Sequence, residues 1–150
     1  MNTEILEIKT SIYINRMAMD IYDAIIDPGH MKGYFISESN GIMADSTDLI
    51  WKFPEYEDRC PVHVVKVLEN EYVSFYWDND GIRTFVEIKI LQKETDICHI
   101  IVTEKNMPND AAGIKWLKSN TEGWANFLAC LKAYLEYGIN LRFGAFKPNI

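Results

Sequence analysis

The chain has little glycine, proline or cysteine. It contains 8 glycines, 5 prolines and 3 cysteines in 150 residues, and no Gly-x-Gly sequence occurs in it. This composition excludes collagen-like and disordered chains. Gly-rich loops bind phosphates through closely approaching main-chain N–H groups, so their absence argues against a nucleotide. We expect no cofactor.

Long apolar runs are also missing. None reaches the roughly 18 residues that a membrane span requires, and Met1-Asn2-Thr3-Glu4 has neither the basic nor the apolar region of a secretory signal. The cysteines, Cys60, Cys98 and Cys130, are odd in number and widely spaced, which is typical of reduced thiols. We therefore predict a cytoplasmic protein without a membrane span.

Basic residues are outnumbered by acidic ones. The chain has 15 Lys and Arg against 22 Asp and Glu, a net charge of −7. Nucleic-acid surfaces are usually basic, so we expect no nucleic-acid partner. Hydrophobic residues make up 48% of the chain and aromatic residues 13%. The length and this composition predict a single domain over residues 1–150 with a core of its own.

The first elements are read from hydrophobic spacing. Alternation over Leu6–Ile14 predicts a half-buried strand, and helical spacing predicts a helix over Ala18–Ile26. Asp27-Pro28-Gly29 should end that helix. A second helical turn is expected over His30–Phe35. Six further strands, separated by turn signals, are predicted near Ile36–Met43, Asp48–Phe53, Val62–Leu68, Tyr72–Trp77, Arg83–Leu91 and Ile97–Glu104.

The longest element comes last. A loop over Asn106–Asp110 should lead into a helix over Ala111–Tyr137, followed by Gly138 as its C-terminal cap. One apolar stripe follows this helix, formed by Leu117, Trp124, Leu128, Leu131 and Leu135 and widened by Phe127 and Tyr134. Residues 139–150 form an apolar tail with Ile139, Leu141, Phe143 and Phe146. Because the core is complete without it, we expect the tail to dock, with a homodimer slightly favoured over contact with the sheet edge.

This order predicts an α+β fold in which the long helix covers one apolar face of a curled antiparallel sheet. Three segments carry a resemblance to a known family: Asp27-Pro28-Gly29 through Tyr34-Phe35, Val73-Ser74-Phe75-Tyr76-Trp77, and Gly123-Trp124 through Leu135-Glu136-Tyr137-Gly138. The chain resembles the START-like, Bet v 1-like (SRPBCC) superfamily, in its activator-of-Hsp90-ATPase-like branch. The resemblance implies a helix-grip fold with about seven strands and two short helices after the first strand.

Aromatic residues are candidates for a ligand cavity between sheet and helix. They are Tyr34, Trp51, Phe53, Phe75, Trp77, Trp116 and Trp124. The alternative for each is ordinary core packing, which we favour for Trp124 because it lies in the middle of the helical stripe. Tyr34 and Trp51 lie near loop ends, where an entrance is expected. An apolar cavity with few polar anchors favours an apolar or amphipathic small molecule.

Glu104 is the candidate catalytic residue. It follows Cys98, Ile100 and Val102 on one face of the last strand, and a carboxylate at the end of an apolar cavity can act as a general acid or base. The alternative, which we favour, is a solvated carboxylate paired with Lys105 or Lys115, because unpaired buried acids are costly.

Cys60 and His63 have the spacing of half a metal site. In an extended segment they face opposite sides, and zinc needs about four ligands, so we expect no metal. Our first functional prediction is therefore binding of a hydrophobic or amphipathic small molecule without catalysis. The alternatives that the resemblance implies are a cyclase or hydratase that uses Glu104, and a co-chaperone-like stress-response protein.

Overall fold

The computed structural model describes residues 4–148. Met1–Thr3 and the last two residues of the predicted tail, Asn149 and Ile150, lie outside the described residues. The elements are β1 (Ile5–Ile14), α1 (Ala18–Ile26), α2 (Pro28–Met31), β2 (Glu38–Ser39), β3 (Thr47–Lys52), β4 (Arg59–Leu68), β5 (Tyr72–Asn79), β6 (Ile82–Glu94), β7 (Ile97–Pro108) and α3 (Ala111–Tyr137).

The seven strands form one antiparallel sheet in the order β1-β7-β6-β5-β4-β3-β2. Side chains alternate in burial along each strand because successive residues point to opposite faces. On β7, for example, Cys98, Ile100, Val102 and Glu104 are buried. The predicted α+β helix-grip architecture, a curled sheet with two short helices after its first strand and a long C-terminal helix, is confirmed.

Helix α3 has the bounds that the sequence predicts. The side chain of Asp110 accepts a hydrogen bond from the Gly113 main-chain N–H across 2.7 Å, which caps the first turn. The helix ends at Gly138, whose left-handed backbone (φ 64°) lets its N–H cap the last carbonyls. No helix in the described part of the chain is long and apolar enough to cross a membrane.

The buried face of α3 differs slightly from the predicted stripe. Trp124, Leu128 and Leu131 are buried as expected, but Leu117 and Leu135 are only partly buried. Phe127 is buried as predicted, Tyr134 is partly buried, and the additional buried side chains are Trp116 and Cys130. The stripe is therefore wider than the predicted one, because the curled sheet meets the helix over more than one row of side chains.

Near the start of the sheet, one predicted strand is wrong and the bounds of the second short helix are shifted. The strand expected over Ile36–Met43 is only Glu38–Ser39, because side chains satisfy the main chain there. Asn40 accepts from the Ile50 main-chain N–H across 2.9 Å, in place of a ladder bond. The helical turn expected over His30–Phe35 instead begins at Pro28, where the Asp27 side chain caps the Gly29 N–H.

The loop predicted over Asn106–Asp110 is also wrong in part, since β7 continues to Pro108. Leu6 of β1 pairs with Met107, whereas Glu7 pairs with Lys105, so Asn106 is the extra residue of a β-bulge. Asn106 has a positive φ of 82°, a conformation that asparagine tolerates better than most residues. Asn106, the first residue of the predicted loop, therefore marks a bulge within β7.

Candidate functional site

The space between α3 and the sheet is filled by aromatic rings instead of being hollow. Six rings form one continuous cluster: Phe35, Trp51, Phe75, Trp77, Trp124 and Phe127. The centroids of Phe75 and Trp77 are 5.3 Å apart and those of Trp77 and Trp124 are 5.6 Å apart. Such distances are typical of edge-to-face and tilted packing, so the interior is a packed core.

A cavity of about 350 Å³, partly open to solvent, lies at one end of this cluster. It is bounded by the middle of α3, the loop after β3 and the segment after α3. Its aromatic lining consists of Phe35, Phe53, Tyr56, Trp77, Trp124 and Phe146. Its polar lining consists of Glu55, Ser119, Asn120, Glu122, Asn126 and Arg142. The combination of rings and a few polar groups is typical of small-molecule sites.

One wall of the cavity is an ion pair between the C-terminal segment and the loop after β3. Arg142 donates to Glu55 through Nη2 and Nε, at 2.7 Å and 3.1 Å from the two carboxylate oxygens. The side chains are only 13% and 9% exposed, so water screens this pair weakly. The C-terminal segment is therefore held to the body of the protein by a two-point contact.

Beneath the cavity, Glu104 is buried completely, with 0% of its surface exposed. Five groups donate hydrogen bonds to its two oxygens: Trp77 Nε1, Asn79 Nδ2, Thr84 Oγ1, Asn120 Nδ2 and Trp124 Nε1. Each indole N–H donates across 2.8 Å, the amides donate across 3.2 Å, and the hydroxyl donates across 2.6 Å. These neutral donors satisfy a buried carboxylate that has no ion pair among residues 4–148.

The favoured expectation for Glu104, a solvated carboxylate paired with Lys105 or Lys115, is therefore wrong. Lys105 is on the opposite face of β7, where its ammonium lies 5.8 Å from the centre of the Phe85 ring. Period-two alternation places neighbouring strand residues on opposite faces, and Glu104 has the inward position. Three of the donors, Trp77, Asn120 and Trp124, also line the cavity. The Glu104 carboxylate therefore holds part of the cavity floor in place.

The other predicted site residues divide into two groups. Phe53, Trp77 and Trp124 line the cavity, whereas Tyr34, Trp51, Phe75, Glu104 and Trp116 do not. Tyr34 and Trp51, which we expected at the entrance, are 0% and 1% exposed and belong to the core. The reason is that Trp51 has an inward position on β3 and Tyr34 packs against Phe127 and Tyr134 of α3, so the opening lies instead at Phe53 and the C-terminal segment.

Polar groups on these core aromatics differ in how they are satisfied. The Tyr34 hydroxyl donates to the Ala24 carbonyl across 2.8 Å, and burial, with a smaller contribution from Tyr134, raises its pKa well above the usual value. Among the described residues, the indole N–H groups of Trp51 and Trp116 have no hydrogen-bond partner. Trp124 is in the core, as favoured, and is at the same time part of the cavity wall.

Cys60 and His63 do not come together as ligands. His63 Nδ1 lies 2.8 Å from Asp48 Oδ1 on the sheet surface. Burial, and secondarily the charge of Asp78, raises the pKa of the Cys60 thiol to about 11, so the thiol stays protonated at neutral pH. Within residues 4–148, no three His, Cys, Asp or Glu side chains cluster closely enough to hold a metal ion.

Several residues of this site were not predicted from the sequence. Asn79 and Thr84 lie close to the Asp80-Gly81 hairpin turn, and Asn120 lies among polar residues of α3. In the sequence alone, each therefore has the pattern of a turn or surface residue. Arg142 is the one arginine in the apolar tail. Its position among apolar residues is the only local indication that the tail docks through an ion pair. Its partner, Glu55, is 87 residues away, a pairing that no local pattern indicates.

Comparison with known proteins identifies relatives by structure alone. No family model matches the chain, and no curated protein sequence matches it. The solved structure of the protein SSP2350 from Staphylococcus saprophyticus is 25% identical, with a TM-score of 0.77, over 89% of this chain and 94% of that one. The Aha1 dimer from Colwellia psychrerythraea is 19% identical, with a TM-score of 0.76, over 89% of this chain and 98% of that one.

A third similar structure is the di-domain ARO/CYC BexL from the BE-7585A biosynthetic pathway. It is 10% identical, with a TM-score of 0.75, over 87% of this chain and 46% of that one. Matches of this kind establish the fold, and the chain shares the helix-grip fold of these structures. They do not carry a substrate or partner over to it.

Proposed function

We propose that this protein, as a member of the activator-of-Hsp90-ATPase-like branch, binds an apolar or amphipathic small molecule in the cavity beside α3. The observation that carries the proposal is the cavity itself, in which six aromatic side chains surround about 350 Å³. This volume is in the range of small-ligand pockets, and the lining combines six aromatic side chains with six polar ones, which suits an amphipathic guest.

A cyclase or hydratase that uses Glu104 is the alternative with a structural basis, since one fold relative is described as an ARO/CYC protein. The five donors around Glu104 favour a different role, because a general base must reach the proton that it removes. We propose that Glu104 positions the floor of the cavity through Trp77, Asn120 and Trp124. A co-chaperone role rests on the likeness to Aha1 and would be tested by direct binding to Hsp90.

Ligand binding should stabilise the protein measurably. A flat aromatic compound at about a hundred times its Kd should raise the free energy of unfolding by roughly 2.7 kcal/mol, because it binds the folded chain and not the unfolded one. A thermal-shift screen finds the compound, and chemical unfolding with and without it measures the change.

Two phenylalanines of the C-terminal segment provide a matched pair of variants. Phe146 lines the cavity, whereas Phe143 does not and is 72% exposed. Phe146→Ala should therefore weaken the stabilisation by the ligand several-fold more than Phe143→Ala. Equal effects of the two variants, or a screen in which no apolar compound shifts the transition, would refute the proposed site.

The outward side of the same segment favours a homodimer. Ile139, Leu141 and Phe143 are 52%, 48% and 72% exposed, although they are apolar. The Colwellia relative is described as a dimer, and we propose that this chain pairs through these residues.

In sedimentation measurements at micromolar concentration, the native chain should have the mass of two copies. The Phe143→Asp variant should have the mass of one copy, because a carboxylate buried without a partner in the dimer interface is costly. Leu91→Asp is the control, since Leu91 is 40% exposed on β6, away from this segment. A native chain with the mass of one copy would contradict the prediction.

A further inference from the structure

The cavity already holds one cation, and that cation belongs to the protein's own C-terminal segment. The guanidinium carbon of Arg142 lies 5.8 Å, 5.5 Å and 5.1 Å from the ring centres of Phe35, Phe53 and Phe146. Glu55 holds the same group by two hydrogen bonds. Aromatic faces and a carboxylate are the two elements by which proteins recognise organic cations.

The charges of the lining favour the same sign of guest. Glu55 and Glu122 line the cavity against the single cation of Arg142, and Glu122 forms no ion pair among the described residues. Lys147 is also nearby, but its ammonium faces the main-chain oxygen of Glu55 at 3.5 Å. An anionic guest that reached Arg142 by breaking its pair with Glu55 would lie beside the uncompensated charge of Glu55, whereas a cationic guest that displaces Arg142 gives Glu55 a new partner.

We propose that the guest of this cavity is an organic cation, a primary ammonium or guanidinium joined to a flat apolar body. Its cationic group takes the place of the Arg142 guanidinium beside Glu55 and the phenylalanine rings, and its apolar body packs against Trp77 and Trp124. The C-terminal segment thus acts as an internal competitor. This inference rests on the proposed function and specifies its ligand class.

Three probes of one shape test the charge preference: 2-naphthylmethylammonium, 2-naphthylmethanol and 2-naphthoate. In calorimetric titrations, the ammonium should bind about three- to tenfold more tightly than the alcohol, which is the range expected of a cation over aromatic faces. The naphthoate should bind most weakly. If the alcohol or the naphthoate binds at least as tightly as the ammonium, the inference is overturned while the cavity proposal stands. If none of the three binds, both fail.

Variants separate competition from anchoring. Arg142→Gln removes the competitor and leaves Glu55 without its cation, so the ammonium should bind at least about threefold more tightly. A residue that anchored an anion would give the opposite result, with tighter naphthoate binding in the native chain than in the variant. Weaker ammonium binding by Arg142→Gln would overturn the competitor role.

Because Arg142→Gln also loosens the segment, a second variant on a solvent-exposed residue is needed. Glu122→Gln should weaken ammonium binding about threefold and leave naphthylmethanol binding unchanged. Glu94→Gln makes the same change of net charge on the exposed end of β6 and should alter neither. Equal effects of Glu122→Gln and Glu94→Gln would contradict a local role for the Glu122 charge and overturn the inference.

Discussion

Glu104→Gln should lower the free energy of unfolding by about 2–4 kcal/mol, although it changes almost no volume. Whichever oxygen the amide nitrogen replaces, it faces an indole N–H and an asparagine amide that had donated there. Buried donors that lose their acceptor cost about 1–3 kcal/mol each. Chemical unfolding of both proteins, followed by tryptophan fluorescence, measures the difference.

The control for this change is Glu94→Gln on the exposed end of β6, which should alter stability by less than about 0.5 kcal/mol. A loss below about 1 kcal/mol for Glu104→Gln would mean that the five donors find other acceptors. It would also remove the basis for assigning Glu104 a role in holding the cavity floor. Such a result would return the residue to consideration as an acid or base.

Leu128→Ala should lower the free energy of unfolding by about 2–5 kcal/mol. Leu128 is 1% exposed in the middle of α3, and its removal loses transfer free energy and leaves a cavity against the sheet. The neighbouring rings of Trp124 and Phe127 are rigid and locked in the aromatic cluster, so they can fill the space only partly.

Leu141→Ala is the matched control, because it makes the same change at a residue that is 48% exposed beyond the helix. It should cost less than about 1 kcal/mol in the single chain. If Leu128→Ala also costs under about 1 kcal/mol, α3 does not use this face to cover the sheet, and the description of the core is incorrect. Both measurements should be made at low concentration, where the proposed dimer does not contribute.

The elements of the fold follow from local patterns in the sequence. The bounds of α3 follow from Asp110 before its first turn and Gly138 after its last, because capping depends only on residues within one turn of the helix ends. The strands follow from period-two alternation. The two misassigned stretches, 36–43 and 106–108, both depend on a partner strand. Asn40 accepts from the Ile50 main-chain N–H, and Asn106 is the extra residue of a bulge against β1.

The site was only partly predictable. Phe53 and Trp77 were candidates for a cavity lining and do line it, while Trp124, for which core packing was favoured, belongs to both the core and the cavity wall. Aromatic residues on the facing sides of the sheet and the helix pack against one another, so their inward positions could be predicted from the sequence. Alternation along β7 placed Glu104 on the same face as Cys98, Ile100 and Val102, and the family resemblance implied that this face meets the long helix. The environment of Glu104 could not be predicted, since its five donors come from β5, β6 and α3, which only the folded chain brings together.

The sequence determined the architecture of this protein, because hydrophobic period, caps and turns act over a few residues and decide each element locally. Only the tertiary structure decided where the chain leaves an opening. The position of the opening depends on how the large aromatic rings pack between sheet and helix. It also depends on the ion pair between Arg142 and Glu55, which are 87 residues apart in the sequence. Packing and long-range ion pairs are properties of the whole assembly of side chains, and no local pattern encodes them.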